Sequence, residues 1–303
     1  MTKDRNTVLV SGASGLVGSA LCQALKAKGY GVKRLSRTVV DGADVCWDVE
    51  AGSIDADAMQ GVATVVHLAG EPVAQRWTVA RKAQIMQSRV KGAQLLIGAM
   101  LEQPTPPDYI SASGIHFYGA QCAAETNEGS PSGAGFLAEV CREWEAAAQP
   151  LREVGVRTVF MRIGLVLSAH GGALSRMLPA FRLGLGGRIG SGQQRMSWVS
   201  LSDLVNMILL AIEDKRLHGP VNAVSPQVVT NAAFTRTLGT LLRRPTILPM
   251  PACIVQILFG AMGQETLCSD IAAVPQALHD VDFAWTHRDL HACLKACIEQ
   301  RVE

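Results

Sequence analysis

The sequence feature that most restricts the fold is a glycine motif near the start of the chain. Residues 11–21 read SGASGLVGSAL, with glycines at 12, 15 and 18, and they follow a β-type run at 7–11. In such a setting the first glycine permits a sharp turn, the second lets a pyrophosphate approach the backbone, and the third lets helix and strand pack closely. The following helix offers free N–H groups to the anion. The motif predicts a dinucleotide-binding βαβ unit, and a tight turn in an ordinary βαβ unit is the alternative.

The first half of the chain alternates between strand and helix patterns. Strand patterns occupy 7–11, 31–36, 44–48, 63–68, 109–113 and 156–162, and helix patterns occupy 16–28, 79–101 and 136–152. This alternation is typical of a parallel sheet covered by helices on both faces. The predicted fold class is therefore α/β, a Rossmann-type doubly wound sheet.

The second half is less regular. Glycine is frequent between 164 and 192, capping-box spacing at Ser200 and Asp203 precedes a short helix, and the chain beyond 230 is mostly helical in pattern. We predict a dinucleotide-binding domain over 1–165, to which 198–226 returns, and a smaller, mostly helical substrate-binding C-terminal region over 166–303. The glycines at 171–198 and the aromatic Trp198 are predicted to form a wall of the substrate pocket.

Composition limits the partners. The 28 Lys and Arg residues against 26 Asp and Glu give a formal charge of +2, too close to neutral for a protein that binds nucleic acid through its phosphates. No apolar stretch reaches the about 20 residues of a membrane span. Eight cysteines without a CxxC motif fit free thiols in a reducing compartment, so we expect a cytoplasmic protein with no nucleic-acid or membrane partner.

A group of candidate metal ligands lies near the C-terminus, at His287, His291, Cys293 and Cys297. On one helix the two histidines and the two cysteines point to nearly opposite sides, so four ligands cannot converge on one zinc ion. We therefore predict no metal site there.

The second strand pattern indicates which dinucleotide binds. An NAD enzyme usually carries Asp or Glu about 20 residues after the glycine motif, where it bonds the ribose 2′-hydroxyl. Here the sequence reads KRLSR over 33–37, and no carboxylate follows until Asp41. A guanidinium at Arg37 beside the Ser36 hydroxyl suits a 2′-phosphate, which favours NADP. A solvated basic strand end is the alternative.

The GxxGxxG spacing, together with HLAG at 67–70, resembles the extended and atypical short-chain dehydrogenase/reductases. Longer segments are similar to one branch of that superfamily, an NAD-dependent epimerase/dehydratase-like group with its own C-terminal module and no proven substrate. Some members of this group carry the label cell division inhibitor. The segments are SRVKGAQLL (88–96), SASGIHFYG (111–119), FLAEVCREWEAAA (136–148), RIGLVLSAHGGAL (162–174) and GPVNAVSP (219–226).

The resemblance implies a set of cofactor-binding residues. Those at the pyrophosphate would be Gly12, Ser14, Gly15, Leu16 and Val17. Ser36 and Arg37 would hold the adenosine phosphate, Asp48 the adenine edge, Leu68 and Ala69 would pass behind the cofactor, and Leu165 would lie beside the nicotinamide. Arg89 stands where extended members usually carry Asn, and it would contact phosphate or ribose; a plain surface arginine is the alternative.

The usual proton-transfer pair of the superfamily is missing. That pair is a Tyr with Lys four residues later, whose ammonium lowers the phenol pKa. In the matching helix the two positions hold Phe136 and Val140, and no YxxxK occurs in the sequence. Of the superfamily's usual catalytic residues, this sequence keeps Ser113. Tyr118 and His116 follow it in a loop and could reach the nicotinamide; the alternative is that they only cover the pocket, as aromatic residues in such loops often do. Ser113 and Tyr118 are the predicted catalytic candidates.

These patterns predict an NADP(H)-binding, epimerase-like or oxidoreductase-like protein that acts on an unknown small molecule. A non-catalytic NADPH-dependent sensor or binding protein is the alternative, favoured by the loss of Tyr and Lys. An enzyme would need a cavity bounded by Ser113, Tyr118, Leu165 and part of 186–198. Extended members often pair through two helices that match 79–101 and 136–152 here, so the resemblance implies a homodimer.

Overall fold

The computed structural model describes residues 6–38 and 44–299. Its central element is an eight-stranded sheet with the order β12-β8-β6-β5-β1-β2-β3-β4. The strands of this sheet are β1 Thr7–Ser11, β2 Gly31–Ser36, β3 Asp44–Asp48, β4 Ser53–Ile54, β5 Val62–His67, β6 Asp108–Gly114, β8 Thr158–Ile163 and β12 Gly219–Ala223. All neighbours pair in parallel except β3 and β4. The predicted doubly wound α/β fold is confirmed.

The remaining elements cover the sheet and build the C-terminal region. The helices are α1 Leu16–Ala27, α2 Val79–Leu101, α3 Phe136–Ala146, α4 Gln149–Glu153, α5 Gly172–Arg182, α6 Leu201–Glu213, α7 Asn231–Leu242, α8 Ala252–Thr266, α9 Gln276–His279 and α10 Leu290–Glu299, with a 3-10 helix at Ile115–Tyr118. The short strands are β7 Gln121–Thr126, β9 Leu165–Leu167, β10 Arg195–Met196, β11 Trp198–Ser200, β13 Val229–Thr230 and β14 Asp270–Ala273.

Hydrophobic side chains fill both faces of the sheet. Leu21 and Leu25 of α1 pack with Ile208 of α6 on one face. On the other face Leu96 of α2 packs with Trp144 of α3. Each helix buries one apolar stripe, as expected for helices that lie on a sheet. This packing fixes the ends of the parallel strands at a common edge.

A third apolar cluster belongs to the C-terminal region. Most of its members come from α5, β11, α7 and α10: Leu174, Leu178, Phe181, Trp198, Phe234, Leu238, Leu290, Cys293, Leu294 and Cys297. The region is mostly helical, as predicted, and α5 lies inside the glycine-rich stretch where the sequence predicted a wall of the substrate pocket. Within the segment 198–226, β12 is the end strand of the main sheet.

Two local differences from the sequence prediction have clear physical causes. The helix predicted over 136–152 is two helices, because Pro150 lacks an N–H and its ring clashes with the carbonyl of Ala146, where α3 ends. Strand β14 was not predicted. Its four residues show no alternation, and its pairing with β7 spans about half the chain. The predicted cap of α6 is confirmed, since the Asp203 N–H donates to Ser200 Oγ at 3.0 Å.

Candidate functional site

The glycine motif forms a tight turn between β1 and α1. Gly12 has a φ of +70°, and a Cβ on it would lie 2.8 Å from the Ala69 nitrogen. A Cβ on Gly18 would lie 2.2 Å from the Gly12 carbonyl oxygen. Neither distance tolerates a side chain, so the glycines permit the turn and the close contact of helix and strand.

The N-terminus of α1 is open to an anion. Gly15 begins the helix without a side-chain cap, and no acidic residue stands in the first turn. Ser14 and Gly15 are exposed, and Leu16 and Val17 are half-buried. Unpaired N–H groups at a helix start, with no competing carboxylate, fit a diphosphate.

A buried histidine supports the floor of this turn. Ser11 Oγ accepts hydrogen bonds from the N–H groups of Leu68 and Ala69 at 3.2 and 3.3 Å, and it lies 2.7 Å from His67 Nδ1. Burial lowers the pKa of His67 to about 3, so the ring is neutral at pH 7. Because Ser11 Oγ already accepts two N–H groups, its own proton is left to donate to Nδ1. The backbone of Leu68 and Ala69 is thereby held against Gly12.

The strand ends next to the glycine turn carry the residues predicted for the adenosine half. Arg37 follows β2 with its side chain exposed and without a partner among the described residues, whereas Arg34 pairs with Asp44 at 2.5 Å. Ser36 Oγ accepts the N–H of Thr38 at 3.3 Å. Asp48 is exposed at the end of β3, and its Oδ1 accepts two backbone N–H groups of the following turn. Asp41 lies outside the described residues.

Arg89 lies under the backbone that follows β5. Its Nη1 donates to the carbonyls of Glu71 and Ile85 at 3.0 and 3.1 Å, and its Cζ lies 5.2 Å from the centre of a Trp144 ring. A Cβ on Gly70 would lie 2.9 Å from that Cζ. The guanidinium therefore supports the loop after Ala69.

Leu165, the residue predicted to lie beside the nicotinamide, is half-buried at the start of β9. Its N–H donates to Ser197 O at 2.9 Å.

Ser113 belongs to a buried network that the sequence did not reveal. Its hydroxyl donates to Glu145 Oε1 at 2.7 Å. Arg162 donates to the same carboxylate through Nε at 2.9 Å and through Nη2 at 2.8 Å. The Arg162 side chain is only 4% exposed. Glu145 lies nine residues after Phe136, about 14 Å along the helix axis, so the partner of the Ser113 hydroxyl lies at the other end of α3 from the usual tyrosine position.

Tyr118 extends this network. Its hydroxyl accepts from Arg162 Nη1 at 3.0 Å and donates to Asn222 Oδ1 at 2.8 Å, while Asn222 Nδ2 donates to Val274 O at 2.9 Å. Burial raises the pKa of Tyr118, although the nearby Arg162 opposes the shift. The buried network is thus Ser113, Glu145, Arg162, Tyr118 and Asn222. The catalytic role of Ser113 and Tyr118 stays a prediction, and in this structure both hydroxyls bind groups of the protein.

The sequence analysis did not predict the ion pair between Arg162 and Glu145, although the sequence contains one indication of it. Arg162 interrupts the apolar run TVFMRI of β8, and a charge inside a buried strand requires a partner. Nothing in the sequence identified Glu145 as that partner among the carboxylates of the neighbouring helix.

The position of the usual tyrosine is occupied by an aromatic cluster. The Phe136 ring lies 4.9 Å from Trp77, and Lys82 Nζ lies 4.8 Å from the Phe136 ring centre. The N–H groups of Phe136 and Leu137 donate to Glu265, which α8 brings to the start of α3. Val140, at the usual lysine position, is buried. Neither Phe136 nor Val140 can transfer a proton.

His116 lies beside this cluster. Its Nε2 is buried and has no hydrogen-bond partner among the residues described, and burial lowers its pKa to about 4, although the nearby Glu265 opposes the shift. The imidazole is therefore neutral at pH 7. The Glu128 carboxylate accepts the N–H groups of Asn222, Gln276 and Ala277. Glu128 thus joins β12 to the start of α9.

The predicted glycine wall is wrong in part. Trp198 is fully buried in the C-terminal cluster and presents no surface to a ligand. A Cβ on Gly186 would lie 2.4 Å from the Phe181 ring, and one on Gly187 would lie 1.5 Å from Leu248 O. These two glycines permit close contact between protein segments. In the sequence they resemble the glycines of a ligand pocket, because close approach of a ligand also requires a residue without a side chain.

Two surface pockets lie at the opposite edge of the sheet, near the amino ends of its strands. One of about 120 Å³ is lined by Met59 and Val62, and one of about 330 Å³ by Asn6 and Thr64. Neither is lined by Ser113, Tyr118 or Leu165, so the predicted substrate cavity stays a prediction.

The C-terminal histidines and cysteines are separated. Cys293 and Cys297 are buried in the third cluster, His291 is exposed, and His287 Nδ1 lies 3.7 Å from Asp203. Within 6–38 and 44–299, no three His, Cys, Asp or Glu residues are placed to hold a metal ion. No helix in those ranges is both long and apolar enough to cross a membrane.

Known proteins match the chain over nearly its whole length. The epimerase family protein Mb2239 of Mycobacterium bovis is 39% identical over 289 residues, which cover 95% of this chain and 96% of that protein. The crystal structure of human epimerase family protein SDR39U1 (isoform 2) with NADPH matches with a TM-score of 0.89 and 34% identity, covering 97% and 99% of the two chains. A nucleoside-diphosphate sugar epimerase from Corynebacterium glutamicum matches with a TM-score of 0.80 and 32% identity, covering 95% of this chain and 57% of that one.

Two family models divide the chain. The model of the NAD dependent epimerase/dehydratase family matches residues 8–224, and a domain of unknown function, DUF1731, matches residues 250–297. The first match covers well over half of the chain and contains the glycine turn, the buried network and the Phe136 position. The resemblance predicted from the sequence is confirmed, and the chain belongs to the NAD dependent epimerase/dehydratase family.

Proposed function

We propose that the protein binds NADP(H) across the carboxyl edge of the sheet and acts with it on a small molecule, as an oxidoreductase or epimerase of atypical mechanism. The observation that carries this proposal is the exposed Arg37 at the end of β2, beside an uncapped helix start. A 2′-phosphate is the ligand that such a guanidinium recognises in this fold. The relative with NADPH bound supports the same choice.

The residues of the turn fit the cofactor. The N–H groups at the start of α1 would hold the pyrophosphate, and Arg37 with Ser36 would hold the 2′-phosphate. The backbone of Leu68 and Ala69, fixed by Ser11, would pass behind the cofactor. When bound, NADPH supplies a hydride. The chain's own contribution is to orient that molecule and to hold water away from it.

Titration of NADPH and NADH by calorimetry tests the cofactor proposal. We expect NADPH to bind more tightly, and Arg37→Ala to weaken NADPH binding about tenfold or more, because a charge-assisted contact is lost, while NADH binding is unchanged. Arg216→Ala is the control, since Arg216 lies before β12 at the opposite edge and pairs with Asp214. Equal affinity of the wild-type protein for both cofactors contradicts the proposal.

A non-catalytic NADPH sensor is the second candidate, and a specific observation favours it. Phe136 and Val140 replace the proton-transfer pair, and the hydroxyls of Ser113 and Tyr118 are bound inside the buried network. General acid–base catalysis contributes about 100- to 10,000-fold, so an enzyme of this design would be slow unless another group supplies the proton.

Activity assays separate the two candidates. Nucleotide sugars, aldehydes and ketones are assayed with NADPH, using the wild-type protein and the double variant Ser113→Ala, Tyr118→Phe. Turnover that the double variant loses supports the enzyme and the predicted catalytic pair. Rapid turnover in the double variant shows that other residues transfer the proton. NADPH binding without turnover on any compound supports the sensor.

We also propose a cytoplasmic location. All eight cysteines are unpaired, which suits a reducing compartment.

A further inference from the structure

Lys82 presents a positive charge at the position where the family usually has its tyrosine. Its Nζ lies 4.8 Å from the centre of the Phe136 ring and 5.4 Å from that of Trp77. No carboxylate among the described residues lies within ion-pair distance of this ammonium. The two rings contact each other at 4.9 Å, so together they form one apolar surface with a cation above it.

Three elements position this group at the edge of the sheet that binds the cofactor. Trp77 lies in the loop that follows β5, Lys82 in the first turn of α2, and Phe136 at the start of α3. The Trp77 ring is fixed, because its Nε1 donates to Val73 O at 3.0 Å. Ligands of open α/β sheets bind beyond the carboxyl ends of the strands, which is where this surface lies.

The surrounding charges favour an anion. Arg76 is exposed next to Trp77, and Arg176 reaches the same loop by donating to Ala74 O. Glu71 lies 3.5 Å from Arg81, and Glu265 accepts the first two N–H groups of α3, so both nearby carboxylates already have partners. The first turn of α2 holds no acidic residue, and the helix start adds its own positive end.

We propose that Lys82, Trp77 and Phe136 form a subsite for an organic anion, which holds a carboxylate or phosphate group through Lys82 and an adjoining apolar part of the molecule on the two rings. This inference deepens the proposed function, on which it rests, by assigning the substrate to the class of anions with an apolar body. Where the superfamily usually carries a tyrosine that transfers a proton, this chain would carry a binding contact.

Tryptophan fluorescence can report on this subsite directly. Of the five tryptophans, Trp47, Trp144, Trp198 and Trp285 are buried, at 8% exposure or less, whereas Trp77 is half-buried. Quenching by neutral acrylamide should therefore act chiefly on Trp77. Trp77→Phe should remove most of the quenchable signal, which assigns it.

Three probes that share a phenyl ring test the charge requirement at constant ionic strength: benzoate, phenyl phosphate and benzamide, the last being the neutral isostere of benzoate. We expect benzoate or phenyl phosphate to protect Trp77 at about threefold to tenfold lower concentration than the neutral benzamide, because solvent and salt weaken the attraction of the half-buried Lys82 ammonium without abolishing it. The better of the two anions identifies the group as carboxylate or phosphate. Lys82→Met should abolish the preference for an anion over benzamide. If Lys82→Met does not fold, Lys82→Gln replaces it in the same measurement. Lys91→Met, nine residues along the same helix, should keep it.

Equal protection by benzamide, protection by neither anion, or an unchanged preference in both Lys82 variants overturns the subsite. NADPH binding is titrated separately on the same samples. If NADPH fails to bind while Lys82-dependent protection is seen, the cofactor proposal fails and the anion subsite stands. If NADPH binds and the anion preference is absent, only the subsite fails.

Discussion

The glycine turn and the buried network lie in the same domain but use their polar groups in opposite ways. At the turn, backbone N–H groups and the Arg37 guanidinium have no partner within residues 6–38 and 44–299, and they are available to a ligand. In the network, Glu145, Arg162 and Tyr118 satisfy one another almost completely. The comparison teaches that a ligand site and a structural network can contain the same residue types, and that the number of unused hydrogen-bonding groups distinguishes them.

The sharpest test of this comparison is to break the network at its carboxylate. Glu145→Ala leaves Arg162 buried without its partner, and we expect a loss of about 3–5 kcal/mol in the free energy of unfolding. Urea denaturation measures it. Glu143→Ala, on the exposed side of the same helix, should change stability by no more than about 0.5 kcal/mol. A small effect at Glu145 would mean that the network is not structural and that its groups are available for chemistry.

The glycine turn depends on backbone contact, so its weak point is steric. Gly18→Ala places a Cβ 2.2 Å from the Gly12 carbonyl oxygen, and we expect a loss of about 3 kcal/mol, together with weaker NADPH binding. Gly98→Ala is the matched control, because nothing lies within 4 Å of its Cβ in the last turn of α2, and it should be neutral or stabilising by up to about 1 kcal/mol. Equal effects of the two variants would show that the turn tolerates a side chain.

His67 makes the floor of the turn sensitive to pH. Its pKa is about 3 in the folded protein and about 6.5 when unfolded, so the unfolded chain takes up a proton first as the pH falls. This group costs about 2 kcal/mol of stability between pH 7 and pH 5, and the loss increases down to pH 3. Thermal or urea unfolding of His67→Phe should show a correspondingly shallower pH dependence. The same slope in both proteins would show that His67 is not neutral in the native state.

The smallest expected effect is at the edge of the network. Tyr118→Phe removes the hydroxyl that joins Arg162 to Asn222, which should cost about 1.5 kcal/mol because two buried groups each lose one partner. Tyr30→Phe, whose hydroxyl meets Glu213 at the surface at 3.3 Å, should cost less than about 0.5 kcal/mol. If Tyr118→Phe leaves stability unchanged but abolishes turnover, the hydroxyl belongs with the ligand-binding groups.

The sequence predicted the turn well because every property of the turn is local. The glycine spacing, the strand before it and the helix after it lie within about 20 residues, and their chemistry depends on the backbone. The basic residues at the end of β2 were visible in the same way. The absence of the proton-transfer pair at Phe136 and Val140 could also be recognised, since it required only the position of one helix.

The network was missed because it depends on tertiary contacts. Glu145 and Arg162 belong to different elements, and many carboxylates of the sequence could have paired with Arg162. The glycines at 186 and 187 were wrongly interpreted as part of a substrate pocket for a related reason. Close approach of two protein segments and close approach of a ligand both require a residue without a side chain. Burial, which decides between the two, is a property of the whole fold.

The pairing of β14 with β7 has a consequence for the order of events during synthesis. Strand β7 leaves the ribosome long before residues 270–273, which form its partner, and Glu265 likewise arrives late at the start of α3. At about 5–20 residues per second, the roughly 150 residues between the two strands take about 8–30 s to translate. During that interval β7 has an open edge able to pair with another chain. A nascent polypeptide of this design therefore needs protection from aggregation until residues 265–273 have emerged.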